Sequence, residues 1–337
     1  MAQMSEPSQR TGAGFKGPAE LVLAAEIAHR YYLDERTKVE IADEFRLSRF
    51  RVARLLQVAR QEGVVRIEIQ QSGAIDLDRS IRLRERFGLE HAVVVDCAEG
   101  DPALLRAALG RAAADLLGEV VSAGDLIGLA WARCVQSMVR QVRRLPQASV
   151  VQLTGVLPRP QDPSGSIDDE TAVDVVRDLA RVCRGPAYLY FAPFLVPDAA
   201  TARALRRQPE IVRAFGKASS ADVAVAGIGR WAPGLSTLYQ AATPPERTAL
   251  AQAGVCAEMA GICLAADGEP LHTPFNDRMI AVEAAQLRAA SHRIAIPYGS
   301  EKYPAVLAAL RSGLVTMLVT HSALAEALLS RDEPARS

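Results

Sequence analysis

The chain has 337 residues, a formal net charge of zero, 49% hydrophobic residues and 23% charged residues. This length accommodates one small and one large domain, and the composition predicts a folded, soluble protein rather than a disordered one. A zero net charge excludes a protein that is basic over its whole surface, so any nucleic-acid-binding face must be local.

Residues 1–17 are polar and rich in glycine and serine, and we expect them to form a disordered tail. They lack the apolar core of a signal peptide, and no run of about 18 apolar residues occurs along the chain. The five cysteines show neither CxxC spacing nor grouping with histidine, which favours buried free thiols. These features predict a cytoplasmic protein without membrane contact, metal ion or cofactor.

A helix-turn-helix is predicted within residues 18–70. Apolar residues recur at helical spacing over 21–32 and predict a first helix. Thr37 and Glu40 have the spacing of a capping box at the start of a second helix, and Ser48 can cap a third. The turn between the second and third helices has about three residues, as a helix-turn-helix requires.

The third of these helices has an arginine-rich exposed side. Five arginines and no acidic residue lie between Arg46 and Arg60. Such a helix can enter a DNA major groove about 12 Å wide, where arginine contacts phosphates or guanine and a phenyl ring meets a thymine methyl group. A small helical bundle with a solvated basic face is the alternative. The predicted DNA-binding residues are Thr37, Ser48, Arg49, Phe50, Arg51 and Arg54.

Beyond Gly63 the hydrophobic pattern changes. VVRIEIQ predicts a short strand, and 76–87 predicts a helix ended by Gly88. Apolar runs then alternate with helical segments as far as 330, which is typical of a mostly parallel sheet covered on both faces. The predicted fold class is α/β: an all-α helix-turn-helix domain, 18–70, and a large Rossmann-like domain, 71–330, that binds an effector and oligomerises. Residues 331–337 form a tail.

Several predicted strands end in glycine-containing loops, where ligands bind in such sheets. Backbone N–H groups at a helix N-terminus together with a cation can hold a phosphate, although α/β turns also need glycine for purely structural reasons. Asp267 and Asn276 are candidates for sugar hydroxyls, with turn and capping chemistry as the alternative. The predicted effector-binding residues are Gly128, Arg133, Cys134, Thr154, Gly155, Gly227, Gly229, Asp267, Asn276 and Lys302.

The helix-turn-helix, followed by GDLIGLAWAR, VVQLTGVL, ADVAVAGIG and LRSGLVTMLVTH, resembles the SorC family of sugar-responsive bacterial transcriptional regulators. The resemblance covers about residues 20–330. It implies an N-terminal helix-turn-helix, a Rossmann-like domain similar to sugar-phosphate isomerases, a small carbohydrate effector that in this family is usually a phosphorylated sugar, and assembly as dimers or tetramers. The implied partners are a double-stranded DNA operator, the sugar effector and further copies of the chain.

By this resemblance, the loops that start at Gly128 and end in Lys302 match the family's phosphate-side segments. Thr154-Gly155 and the 227–229 turn match its ligand-facing loops. Ala132 and Cys134 stand where the family usually has glycine and threonine, which removes a hydroxyl donor.

A sugar-phosphate isomerase with an accessory helical domain is the second hypothesis. It needs an acid and a base that converge on the ligand. Asp267, Glu258 and His272 are the candidates, and no sequence spacing links them. Cys134 has no histidine near it in sequence that would activate it as a nucleophile. We therefore predict a regulator without catalytic residues.

Overall fold

The computed structural model describes residues 15–65, 74–157 and 171–330. The chain divides into two compact units, Met1–Gln70 and Gln71–Ser337. No helix within the described ranges is long and apolar enough to cross a membrane. Both predicted tails, apart from residues 15–17, and most of the predicted strand VVRIEIQ lie outside the described residues.

The first unit contains three helices, α1 (Pro18–Tyr32), α2 (Lys38–Glu44) and α3 (Arg49–Gln61). The predicted capping box is confirmed: the Thr37 hydroxyl accepts the Glu40 N–H at 3.3 Å, and the Glu40 carboxylate accepts the Thr37 N–H at 2.8 Å. Ser48 caps α3 by accepting the Arg51 N–H at 3.2 Å. The three helices close over one apolar core, whose most buried members are Ala24, Ile27, Ile41, Val52 and Ala59.

The turn between α2 and α3 contains one strained residue. Arg46 has φ 53°, a left-handed conformation that glycine or asparagine adopts more easily. The adjacent Leu47 N–H donates to the Ala42 carbonyl at 2.8 Å, so the turn is closed by a backbone hydrogen bond. A short, closed turn of this kind is what a helix-turn-helix requires.

The second unit is built on a seven-stranded sheet in the order β1-β11-β10-β5-β2-β3-β4, and all six of its strand pairs are parallel. Its strands are β1 (His91–Val95), β2 (Leu126–Leu129), β3 (Ser149–Gln152), β4 (Ala187–Tyr188), β5 (Val223–Ala226), β10 (His292–Ala295) and β11 (Met317–His321). A small antiparallel sheet contains β6 (Gly229–Arg230), β7 (Ala257–Met259), β8 (Ile262–Leu264) and β9 (Pro270–Leu271).

Helices lie between most of these strands. They are α4 (Leu77–Phe87), α5 (Pro102–Val120), α6 (Arg133–Gln141), α7 (Ala172–Cys183), α8 (Ala199–Leu205), α9 (Pro209–Ala218), α10 (Thr237–Ala241), α11 (Pro244–Gln252), α12 (Ala284–Ala289), α13 (Tyr303–Arg311) and α14 (Ser322–Ser330). The described residues of this unit also contain two 3₁₀ turns, Asn276–Arg278 and Ser300–Lys302.

Both faces of the large sheet are covered, as the apolar runs predict. On one face, Ile127, Val225 and Val319 pack with α5, α6 and α7. On the other, Ala224 and Leu318 pack with α9, α13 and α14. The predicted end of α4 is also confirmed, because Gly88 closes that helix with φ 62°. Asp267-Gly268 forms a tight turn between the antiparallel strands β8 and β9, which is the alternative role considered for Asp267.

The order of strands reverses between β2 and β5. The chain runs outward from β2 through β3 to β4 on one side, and from β5 through β10 to β11 on the other. In open α/β sheets, ligands bind in the crevice beyond the carboxyl ends of the strands at such a switch point. The topology therefore predicts a ligand-binding site at the loops that follow β2 and β5.

Gly185 provides a test of the packing at the edge of the sheet. A Cβ atom at this position would lie 1.9 Å from the Ala148 carbonyl oxygen, which is backbone and cannot rotate away. We expect Gly185→Ala to lower the free energy of unfolding by about 1–3 kcal/mol, the usual cost of overpacking. Chemical denaturation measures this change. Gly216→Ala, within α9 and with nothing inside 4 Å, is the control and should leave stability unchanged or slightly raised.

Candidate functional site

The candidate DNA-binding surface of the first unit is the outer side of α3. Arg49, Phe50, Arg51 and Arg54 are exposed, and the Phe50 side chain is 73% exposed. The Arg49 guanidinium lies 5.1 Å from the centre of the Phe50 ring. Thr37 and Ser48 are exposed too, but their hydroxyl groups serve as helix caps.

The arginines of α3 differ from those of α1 and of the loop between α1 and α2. Arg30 and Arg36 both form ion pairs with Glu44, at 3.1 Å and 2.5 Å. Across the described part of the chain, Arg49, Arg51 and Arg54 form no ion pair. Their charges are therefore available to an anionic partner such as a phosphate backbone.

The second unit contains a cleft at the carboxyl ends of β2 and β5, at the switch point of the sheet. The cleft, together with the open solvent at its mouth, contains about 820 Å³ of space not occupied by atoms. The β2–α6 loop, the segment after β3, the β5–β6 turn and the small antiparallel sheet supply its walls. Its lining residues include Trp131, Arg133, Cys134, Thr154, Gly155, Gly227, Gly229, Ser236, Gln240, Glu258, Tyr298 and Lys302.

The structure brings seven of the ten predicted effector-binding residues to this cleft. They are Arg133, Cys134, Thr154, Gly155, Gly227, Gly229 and Lys302. Gly128 lies instead within β2, where a Cβ atom would be 2.9 Å from the Leu153 side chain, so its role is strand packing.

Asp267 and Asn276 are not among the residues that line this cleft. The Asp267 carboxylate accepts the Glu269 N–H at 3.0 Å within the β8–β9 turn. The Asn276 carbonyl oxygen accepts the Thr273 N–H at 2.9 Å and borders a separate cleft. The structure thus gives both side chains the turn and capping roles that were their alternative.

Glycines allow the loops around the cleft to approach one another closely. A Cβ atom on Gly227 would be 2.7 Å from the Ala132 Cβ, and one on Gly229 would be 2.1 Å from a carboxylate oxygen of Glu258. A Cβ atom on Gly155 would lie 2.7 Å from the Pro193 carbonyl oxygen. At these three positions, any side chain would have to displace a neighbour.

Glu258 is the most informative cleft residue outside the predicted set. It faces Gly229 across the β6–β7 pair, and its carboxylate accepts the Ser236 hydroxyl at 3.0 Å. Burial raises the pKa of the Glu258 carboxyl, while the Ser236 hydrogen bond and the charge of Lys302 oppose that rise. The sequence identified Glu258 only as a possible catalytic acid or base, because nothing local shows that it faces the glycine turn.

Lys302 and Arg133 are the cations of the cleft lining within the described residues. The Lys302 ammonium donates to the Ile228 carbonyl at 3.1 Å and lies 4.7 Å from the centre of the Tyr298 ring. Arg133, the first residue of α6, is exposed at the rim. Thr154 is buried, and its hydroxyl accepts the Trp131 N–H at 3.3 Å.

Cys134 is buried and remains a neutral thiol, because burial raises its pKa to about 11. We expect native Cys134 to resist alkylation at pH 8, where only about one thiol in a thousand would be ionised. The half-buried Cys97, whose pKa burial also raises, should react first. Mass spectrometry of iodoacetamide-treated protein measures both sites. Equal labelling rates for Cys134 and Cys97 would contradict this assignment.

The described ranges contain no cluster of side chains that could ligate a metal ion. All five cysteines are free. Within 15–65, 74–157 and 171–330, no group of three or more His, Cys, Asp or Glu side chains could hold a metal ion. His321 is fully buried at the end of β11 and does not line the cleft.

Comparison with known proteins identifies the family to which the chain belongs. The Sugar-bind family model, described as "Putative sugar-binding domain", matches residues 72–330. The sorbitol operon regulator of Klebsiella pneumoniae is 29% identical over 319 residues, which cover 92% of this chain and 98% of that protein. The deoxyribonucleoside regulator of Bacillus subtilis (strain 168) is 27% identical over 313 residues, which cover 91% of this chain and 97% of that protein.

Among solved structures, the full-length sorbitol operon regulator SorC from Klebsiella pneumoniae is similar to this chain, with a TM-score of 0.70 and 26% sequence identity. The match covers 93% of this chain and 100% of that one. This structural match confirms the predicted fold class. Because the relatives are transcriptional regulators, the comparisons give no support to the alternative of a sugar-phosphate isomerase. The chain belongs to the SorC family of sugar-binding transcriptional regulators.

Proposed function

We propose that this chain binds a double-stranded DNA operator through α3 and that a sugar bound in the switch-point cleft controls this affinity. The observation that carries the proposal is the presence, in one chain, of a helix whose exposed arginines form no ion pair within the described residues and of a cleft lined by hydrogen-bonding side chains. In this proposal 18–70 is the DNA-binding domain, 71–330 is the effector-binding and oligomerisation domain, and the protein acts in the cytoplasm.

On the DNA side, the exposed arginines of α3 contact phosphates and base edges. Arg51 and Arg54 add affinity through phosphates, which carry no sequence information themselves. Arg49 or Arg51 contacts a guanine, and the exposed Phe50 ring meets a thymine methyl group. The caps at Thr37 and Ser48 fix the ends of the two helices that present these residues.

On the effector side, the cleft offers donors and acceptors that match vicinal hydroxyl groups. The Glu258 carboxylate accepts, the Lys302 ammonium donates, and the Ser236 hydroxyl does both. Two relatives are named a sorbitol operon regulator and a deoxyribonucleoside regulator, which supports a carbohydrate-related effector here as well. Arg133, Cys134, Thr154, Gly155, Gly227 and Gly229 complete the proposed contact surface.

Coupling between the two parts requires that the sugar prefer one arrangement of the assembled protein. We propose a homo-oligomer, because recognition helices pair on operators whose half-sites mirror a two-fold symmetry. The expected coupling is about 1–3 kcal/mol, or roughly 5–150-fold in DNA affinity.

The experiment that tests this proposal is a fluorescence-anisotropy titration of the full chain against DNA from its own upstream region, with scrambled DNA as the control. Tight, sequence-dependent binding that a mixed pool of sugars and polyols shifts is the expected result. Binding that is equal on both DNAs and is lost in moderate salt would contradict operator recognition, because only phosphate contacts would then remain.

A further inference from the structure

We infer that Tyr298 is a specificity-determining residue of the switch-point cleft, because its ring gathers two cations, Lys302 and Arg106, into one anion pole that meets the charged group of the effector. The inference rests on the proposed function and names residues that hold one end of the effector. Tyr298 and Lys302 line the cleft, whereas Arg106 belongs to α5 and is not among the lining residues. Arg106 therefore acts across the Tyr298 ring, as a positioning residue.

The Tyr298 ring holds the two cations near each other. Tyr298 follows β10, and its side chain is half-buried in the wall of the cleft. The Lys302 ammonium lies 4.7 Å from the centre of the ring, and the Arg106 guanidinium lies 5.7 Å from it. Both are within the distance of about 6 Å at which the ring quadrupole attracts a cation. Because like charges repel, a shared aromatic ring is what keeps these two side chains together.

The same two cations act on one wall of the cleft, the first turn of α6. The charges of Lys302 and Arg106 both oppose the rise that burial causes in the pKa of Cys134, the second residue of that helix. The N-cap residue of α6, Ala132, makes no side-chain hydrogen bond. The positive end of the helix dipole therefore adds to the two charges, and this end of the cleft suits the charged group of a ligand.

Arg106 carries a positive charge that the described part of the chain does not neutralise. Its guanidinium forms no ion pair there, and the Tyr298 ring is its contact. Lys302 differs, because the Glu258 carboxylate in the cleft offsets part of its charge. Since a charge is felt over about 8 Å at physiological ionic strength, Arg106 supplies the surplus positive charge of the anion pole.

The ring also lowers the entropic cost of binding. Lysine and arginine side chains have many rotamers, and a ligand that must order them loses affinity. At Tyr298 both side chains are held before a ligand arrives. An aliphatic side chain of similar size would fill the space but would not attract a cation, so the aromatic character of the residue is what matters.

The direct test titrates inorganic phosphate into the full chain at constant ionic strength, with thermal melting and the fluorescence of Trp131 in the cleft as readouts. Arg106→Ala should weaken phosphate binding about fivefold, the effect of one partly screened charge, and Arg106→Lys should restore part of this loss. The Arg106 backbone carbonyl accepts the Ser137 hydroxyl at 2.9 Å, so the link from α5 to α6 survives the replacement. Arg111→Ala is the matched control, since it removes an exposed arginine from the same helix.

Replacement of the ring tests the positioning role. Tyr298→Leu should weaken phosphate binding about tenfold, and the conservative variant Tyr298→Phe should restore most of that affinity. In the double variant Tyr298→Leu with Arg106→Ala the two losses should not multiply, because Arg106 acts through the ring. Losses that multiply in full would overturn the inference, and so would a Tyr298→Phe variant as weak as Tyr298→Leu. If Tyr298→Leu does not fold, equal phosphate affinities of Arg106→Ala and Arg111→Ala would overturn it.

Two further outcomes separate the inference from the proposed function. A wild-type chain that shows no saturable phosphate binding, but whose DNA binding responds to the pool of sugars and polyols, would overturn the inference alone. A chain whose phosphate affinity depends on Arg106 and Tyr298 as expected, but which binds upstream and scrambled DNA equally, would support the anion pole and refute the proposed function.

Discussion

Simultaneous replacement of Arg49, Arg51 and Arg54 by alanine should weaken binding to the upstream DNA at least about 100-fold, because three contacts of about 1 kcal/mol each multiply to that factor. All three side chains are exposed on α3, and none forms an ion pair within the described residues. The variant should keep its fold, since the helix core and the Ser48 cap are untouched. Anisotropy titrations at several salt concentrations measure both affinity and its salt slope.

A control with the same loss of charge separates specific contact from general electrostatics. Arg143, Arg144 and Arg207 are exposed and belong to the second unit. Their joint replacement by alanine should change DNA affinity much less than the α3 variant does, and should leave the preference for upstream over scrambled DNA in place. Equal losses in the two variants would mean that α3 does not recognise the operator.

The second large effect is expected at the turn between β5 and β6. Gly229→Ala should weaken sugar binding at least about tenfold, since the new methyl group would lie 2.1 Å from a Glu258 oxygen and 2.8 Å from the Ser236 Cβ. Glu258 would have to rotate away and lose its hydrogen bond with Ser236. DNA affinity without sugar should stay unchanged, because the first unit is not altered.

Isothermal titration of the sugar, followed by DNA titration in its presence, checks this expectation. Gly118→Ala is the matched control, since a methyl group on the exposed side of α5 meets nothing within 4 Å. Sugar affinity at the wild-type level in Gly229→Ala would show that Glu258 and Ser236 do not bind the effector.

The parts of the structure that the sequence predicts well depend on local signals. The boundaries of α2 and α3 follow from side chains that bond to backbone three residues away, as at Thr37 and Ser48. The cleft loops follow from a general rule of parallel sheets, because ligand sites lie at the carboxyl ends of strands. Seven of the ten predicted effector residues line the cleft for this reason.

The parts that the sequence misses depend on contacts between distant segments. Glu258 reaches the cleft because β7 pairs with β6 in a register that sets it opposite Gly229. Glu99 meets Ser300 from 201 residues away. Asp267 and Asn276 illustrate the converse, because the same residue types serve hydroxyl binding and turn formation equally well, and only the structure distinguishes these uses.

The central claim is that a sugar in the cleft and DNA on α3 influence each other's affinity, and thermodynamic linkage tests it most directly. The measurement is the dissociation constant of the sugar for the full chain, with and without saturating upstream DNA. The account predicts that DNA changes sugar affinity by the same factor, roughly 5–150-fold, by which the sugar changes DNA affinity. Identical sugar affinities in the presence and absence of bound DNA would contradict it.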